Sequence, residues 1–248
     1  MRYSACIELL FRNEHPVFAE RIAAAKAAGL DAVEFWGWSG KDLAAIAAAL
    51  RQTGLPLAGI LCEPIANITN PATHEFFLAG VSASLQAAQL LGTKLLIVQG
   101  GNAVAGASRT SQHQGIADCL KRAADIVAGS GVVIALEPLN DRVDHPGYYL
   151  TSTSEGLDII DEIGRPEIRL LYDIYHAAAM GEAIELLDGR LDRVAHVHLA
   201  DTPGRHEPGS GAMDFRARLA WLSAQGYQGL VGLEYSPTGE TLASLGFR

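Results

Sequence analysis

Four residues able to ligate a cation or carry a proton each close an apolar, β-like run: Glu137 after VVIAL, Asp173 after IRLLY, His198 after RVAHV and Glu234 after LVGL. A carboxylate or imidazole at the end of a buried strand loses solvation unless it is paired or serves a site. Any one of them alone could be a salt-bridged or hydrogen-bonded core residue, but several buried carboxylates together call for a cation. Three carboxylates and one imidazole make a hard donor set that suits one Mn²⁺ or Mg²⁺ ion per chain. No cysteine stands at any of these positions. The chemistry such a set supports is Lewis-acid stabilisation of the oxygens of an enediolate, formed when a proton leaves a carbon next to a carbonyl. Glu137 and Glu234, ending different strands, can flank a substrate from opposite sides as acid/base groups. Isomerisation and epimerisation are both open to that pair.

The spacing of the four residues fixes the architecture that must position them. Glu137 and Asp173 are 36 residues apart, Asp173 and His198 are 25, and His198 and Glu234 are 36, each about one strand plus one crossover helix. In a parallel βα barrel, consecutive strand C-termini converge on one rim, where active sites are built. Strand patterns fall near 3–9, 31–36, 57–61, 94–99, 132–137, 168–173, 194–199 and 230–234. Helical patterns fall near 15–28, 40–53, 71–91, 111–129, 154–163, 181–188 and 213–225, with a short eighth after Glu234. Asn70 before Pro71 is a helix start; Gly29, Gly54, Gly92, Gly164 and Gly226 stand where helices should stop. We read residues 1–248 as one α/β domain, a (βα)8 TIM barrel with a short C-terminal helix.

Composition narrows the partners. With 19 Lys+Arg against 28 Asp+Glu, the formal charge of −9 disfavours nucleic acid and anionic membranes and suits a small-molecule substrate. The three cysteines, Cys6, Cys62 and Cys119, form no Cys-x-x-Cys pair and read as reduced and buried. The N-terminal MRYSACIELLF lacks a signal-peptide pattern, and no apolar stretch is long enough to span a bilayer, so a cytoplasmic location is expected. Cover for the barrel end could come from a partner subunit, as in a homodimer or homotetramer.

Two loops should reach the same rim. PLNDRVDHPGYYLTST follows Glu137 and offers Asn140, Asp144, His145 and Tyr148 to the cavity. ADTPGRHEPGSGAMDF follows the seventh strand and carries Arg205, His206 and Glu207. Trp36 and Trp38 straddle the end of the second strand and are placed to shape a pocket. Glu34 is expected to pair inside the barrel with an Arg or Lys, and His196 to be structural. His15, His74 and His113 take no role. Gln99-Gly100-Gly101-Asn102 lacks dinucleotide-loop or P-loop spacing and would let backbone approach a substrate. No G-x-S-x-G elbow supports nucleophilic hydrolysis.

The segments LEPLN, DHPGYYL, YDIYH, HVHLADTPGRHEPGSG and GLEY resemble the hydroxypyruvate isomerase group of the xylose-isomerase-like TIM barrels, which includes ketose 3-epimerases. The resemblance runs from the first strand to Glu234 and is most specific at the seventh strand. It implies a divalent metal on Glu137, Asp173, His198 and Glu234, the two glutamates also transferring protons. It further implies that His176 and Arg205 bind substrate oxygens, beside the pocket residues Trp36 and His145. The chain departs from the hydroxypyruvate isomerases, which carry glutamine at the strand-seven metal position; His198 there matches the epimerases. A metal-dependent isomerase of a small hydroxy-keto acid or sugar ranks first, followed by a ketose 3-epimerase or a decarboxylase of a 3-oxo sugar acid. A metal-dependent hydrolase or nuclease on the same barrel is disfavoured by the acidic charge.

Overall fold

Short apolar runs alternating with Ala- and Leu-rich segments generate eight βα units. The computed structural model, which describes residues 1–248, closes them into a barrel of eight parallel strands in chain order. The strands are β1 (Arg2–Cys6), β2 (Ala32–Phe35), β3 (Leu57–Leu61), β4 (Leu95–Gln99), β5 (Val133–Glu137), β6 (Ile168–Asp173), β7 (Val194–Leu199) and β8 (Leu230–Leu233). Pairing of β1 with β8, from Arg2 opposite Leu230 to Ala5 opposite Leu233, leaves no free sheet edge. The helices are α1 (Glu20–Ala27), α2 (Leu43–Thr53), α3 (His74–Leu91), α4 (Arg109–Val127), α5 (Thr153–Ile163), α6 (Ile174–Met180), α7 (Phe215–Ala224) and α8 (Thr241–Ser244).

Caps set most helix boundaries. The side chains of Asp42, Ser108, Ser152 and Asp214 each accept a backbone N–H three residues on, at the starts of α2, α4, α5 and α7. Several boundaries differ from the pattern reading, four of them for a clear local reason. β1 stops at Cys6 because residues 7–14 turn back on themselves. α1 begins at Glu20 rather than near His15, since Pro16 disfavours helical backbone at the residue before it. Pro71 opens a three-residue 3₁₀ turn, Pro71–Thr73, that feeds α3. The helix expected over 181–188 is instead α6, which starts directly after β6 because Asp173 caps it; residues Ile184–Leu187 form only a 3₁₀ turn.

The main apolar core lies between strands and helices, where Phe35, Phe77, Tyr172 and Tyr235 are fully enclosed. A second, smaller cluster of Leu61, Leu95, Ile97, Ala135 and Leu171 fills the barrel. Side chains alternate along a strand, so Gln99, Glu137 and Asp173, two residues beyond Ile97, Ala135 and Leu171, share that inward face one layer nearer the C-terminal rim.

Candidate functional site

The C-terminal ends of β5 to β8 bring Glu137, Asp173, His198 and Glu234 together, one ligand atom of each lying within 4.8 Å of the others. All four are buried. Asp173 stands opposite His198 across the β6–β7 pair. His198 Nδ1 lies 3.3 Å from Glu234 Oε2 and 3.5 Å from Glu137 Oε1, yet has no hydrogen-bond partner. An orphaned buried ring nitrogen facing three carboxylates fits a hard divalent cation, so these residues could hold a metal ion.

Each ligand candidate is oriented by its surroundings. Asp173 Oδ1 accepts the backbone N–H groups of Tyr175 and His176, leaving Oδ2 for the centre. Burial raises the pKa of Asp173 against the charges of Arg205 and His198. Glu234 Oε1 accepts the Trp36 indole N–H at 2.7 Å, and Oε2 accepts Arg205 Nη2 at 2.5 Å. Burial alone would raise Glu234, but His198 and Arg205 hold it well below the usual carboxylate range. Burial alone would lower His198, yet the charges of Glu234 and Glu34 keep it well above the ordinary histidine value.

His176 Nδ1 accepts both the backbone N–H of Asn140, at 3.1 Å, and its side-chain amide, at 2.7 Å. That places the ring proton on Nε2. Nε2 is buried without a partner, 3.6 Å from Asp173 Oδ2. Burial pushes the pKa of His176 down to about 4, so near neutral pH it is an uncharged donor. Asn140 is itself pinned by accepting Val143 and Asp144 N–H groups, while Tyr175 donates to Asp144 Oδ2 at 2.7 Å.

Arg205 is delivered by the loop after β7 in a left-handed backbone conformation, φ 54°. Asp201, fully buried, organises that loop by accepting the N–H groups of Thr202, Gly209 and Met213. The guanidinium sits 5.2 Å over the Tyr175 ring and 4.0 Å from Asp173 Oδ2.

These groups border a cavity of about 210 Å³. Trp36, Leu61, Ile65, Ile97 and Leu139 make an apolar wall; Gln99, Glu137, His145, His176, His198, Arg205 and Glu234 make a polar one. A larger, more open depression of about 600 Å³, lined by Arg218 and Trp221 of α7, contains none of them. Of the residues expected at the pocket, Trp36, His145, His176 and Arg205 border it, and His145 packs 5.6 Å from His176. Trp38 does not: its indole donates to Ser84 Oγ, away from the cavity. Asn140, Asp144 and Tyr148 buttress rather than line, and His206 and Glu207 bond Ser236 and Thr238 to hold the loop.

Glu34 pairs with histidines rather than with Arg or Lys: its Oε2 meets His196 Nε2 at 2.7 Å. His74, the first residue of α3, is buried against the Ile68 carbonyl oxygen. Gln99, read from the sequence only as part of a backbone approach to substrate, borders the cavity itself, ending β4 as Glu137 ends β5 and standing opposite it in register. Apart from Trp36, the members of the apolar wall carry no polar signal and were not singled out in the sequence. No helix is long and apolar enough to cross a membrane.

Comparison with known proteins agrees with this geometry. The family model described as xylose isomerase-like TIM barrel matches residues 22–247. Hydroxypyruvate isomerase of Escherichia coli (strain K12) is 31% identical over 253 residues, covering 99% of this chain and 97% of that protein. The crystal structure of AP endonuclease, family 2 from Brucella melitensis has a TM-score of 0.92 at 29% identity, over 99% of this chain and 97% of that one. The apo 3-keto-D-glucoside 4-epimerase of E. coli has a TM-score of 0.80 at 25% identity, over 92% of each chain.

Proposed function

The chain belongs to the xylose isomerase-like TIM barrel family, and from that premise we propose that it is a metal-dependent isomerase of a small hydroxy-keto acid or sugar, hydroxypyruvate isomerase-like in its chemistry. The observation that carries this is the convergence of Glu137, Asp173, His198 and Glu234 on one point at the wall of a small cavity. Those four residues would hold one divalent ion, Mn²⁺ or Mg²⁺ by the hardness of the donor set. When bound, such an ion supplies Lewis-acid stabilisation for the oxygens of an enediolate.

The chain's own groups account for the rest. Arg205 offers a planar fork to a carboxylate or paired hydroxyls. His176 donates its Nε2–H, as a neutral imidazole, to a substrate oxygen, and His145 stands beside it. Trp36 fixes Glu234 through its indole N–H and turns its apolar ring to the cavity. Glu137 and Glu234 carry the proton between adjacent carbons, and the apolar wall keeps water from the exchanging position. A formal charge of −9 and a pocket this small favour such a substrate over nucleic acid. A second reading, C3 epimerisation of a ketose, is supported by His198 at the strand-seven position and by two glutamates on separate strands.

Incubating Mn²⁺-loaded protein with hydroxypyruvate and a panel of ketoses in D₂O, with deuterium followed by NMR, tests this. Exchange at the carbon beside the carbonyl is expected. With a single proton carrier, either Glu137→Gln or Glu234→Gln loses exchange and turnover together; in an epimerase both lose turnover while one still exchanges from a single face. Near wild-type turnover in both variants, with metal bound, would discard glutamate-mediated proton transfer.

A further inference from the structure

Beneath the four-residue cluster lies an arrangement that the proposed mechanism does not use. Glu34, on β2, is 2% exposed and sits between two imidazoles of β7. Its Oε2 meets His196 Nε2 at 2.7 Å and accepts the Ser4 hydroxyl at 2.9 Å. Its Oε1 and His198 Nε2 face each other at 3.0 Å as an ion pair, and neither atom has a hydrogen-bond partner. The opposite nitrogen of the same ring, Nδ1, faces Glu137 and Glu234.

The space for this contact is made by Gly232 of β8. A Cβ there would collide with Glu34 Oε1 and come within 2.7 Å of His198 Cδ2. Gly232 stands opposite Ser4 on one side and opposite His198 on the other, so three strands are shaped around the one carboxylate. Burial alone would favour the protonated form of Glu34, but His196 and His198 keep it ionised.

We propose that Glu34 is a positioning residue for the metal centre: its carboxylate holds the proton of His198 on Nε2 and fixes the ring plane, so that the Nδ1 lone pair is presented to the point shared by Glu137, Asp173 and Glu234. This rests on the reading that those four residues bind a divalent ion. A ligating imidazole whose other N–H is unbraced can rotate or change tautomer, and losing such a partner typically weakens metal affinity by about 10–100-fold. Glu34 Oε2 is already engaged by Ser4 and His196, which leaves Oε1 alone to face His198.

The test is titration of the metal-stripped protein with Mn²⁺, together with long-range proton–nitrogen NMR of the Zn²⁺-loaded protein to locate the His198 ring proton. Wild type should bind one ion, and His198→Ala should lose most of the affinity. Glu34→Gln, and Glu34→Asp, which keeps the charge but retracts it by one methylene, should each weaken Mn²⁺ binding by about 10–100-fold. Gly232→Ala should do the same by pushing Glu34 aside. In the NMR experiment the His198 Nε2–H resonance should be sharp and downfield in wild type and lose that shift in Glu34→Gln. Should Glu34→Gln fail to fold, Glu34→Asp and Gly232→Ala carry the same prediction. A folded Glu34 variant with unchanged Mn²⁺ affinity, or with the His198 resonance unmoved, overturns the positioning role while leaving the four-residue site intact. Failure of wild type to bind any ion overturns both.

Discussion

Glu234 illustrates how the site is tuned residue by residue, because both of its oxygens are held by donors from other elements, Trp36 Nε1 at 2.7 Å and Arg205 Nη2 at 2.5 Å. A hydrogen bond to a charged group typically contributes about 1.5–3 kcal/mol. Trp36→Phe keeps the apolar face and removes the N–H, so kcat/KM should fall by about tenfold or more while thermal stability barely changes, as steady-state kinetics and melting curves would report. Arg205→Lys should raise KM or lower kcat/KM with metal content constant, since an ammonium cannot reproduce the guanidinium fork; loss of metal on that change would show that Arg205 acts mainly by holding Glu234 instead. The four strand-end residues were legible in the sequence because each is a polar interruption at the close of an apolar run. Glu34 was legible as a paired charge inside the barrel, but its partners are His196 and His198 rather than Arg or Lys. Its partners depend on the stagger between β2, β7 and β8, and no local pattern records the distance from residue 34 to residue 198.

The element that does most to present the substrate-facing groups is the loop between β7 and α7. Asp201 is wholly buried and satisfied by three backbone N–H groups, spanning Thr202 to Met213. Asp201→Ala leaves those donors unpaired and should destabilise the fold by about 2–4 kcal/mol in urea titrations. Limited proteolysis should find the chain cut between Asp201 and Asp214, and Asp201→Asn should be milder. Unaltered protease resistance in Asp201→Ala would show that the loop is held by other contacts. The loop's position on the rim followed from its place after the seventh strand, but Asp201 sat unnoticed among its polar residues. α6 was misplaced for a related reason: its first turn is encoded by the Asp173 side chain, which the sequence reading had assigned wholly to the metal. One oxygen caps and the other faces the centre, a double duty that composition does not reveal.

At the scale of the whole molecule, the repeating strand–helix pattern sufficed to predict eight strands, and closure followed from the pairing of β1 with β8. All four ligand candidates come from β5–β8 or the residue just after β8, while the first half sends Glu34 of β2, and Trp36 just after it, across to them. A cation at their meeting point would bridge four strands. Saturating Mn²⁺, at roughly 100 times its dissociation constant, should therefore stabilise the fold by about 2.7 kcal/mol and raise Tm. Chelator should reverse the gain, and Asp173→Ala should abolish it; a melting curve indifferent to Mn²⁺ would argue against the centre. The same division of labour bears on how the protein is made. Synthesis runs from β1 onward, so the ribosome releases the bracing half before it releases a single ligand. A nascent chain that has reached only Glu137 and Asp173 offers two oxygen donors and no imidazole, too poor a set to retain a passing ion. On the proposed reading the full donor set exists only once β8 closes against a β1 already in place, so a filled centre would certify a finished barrel.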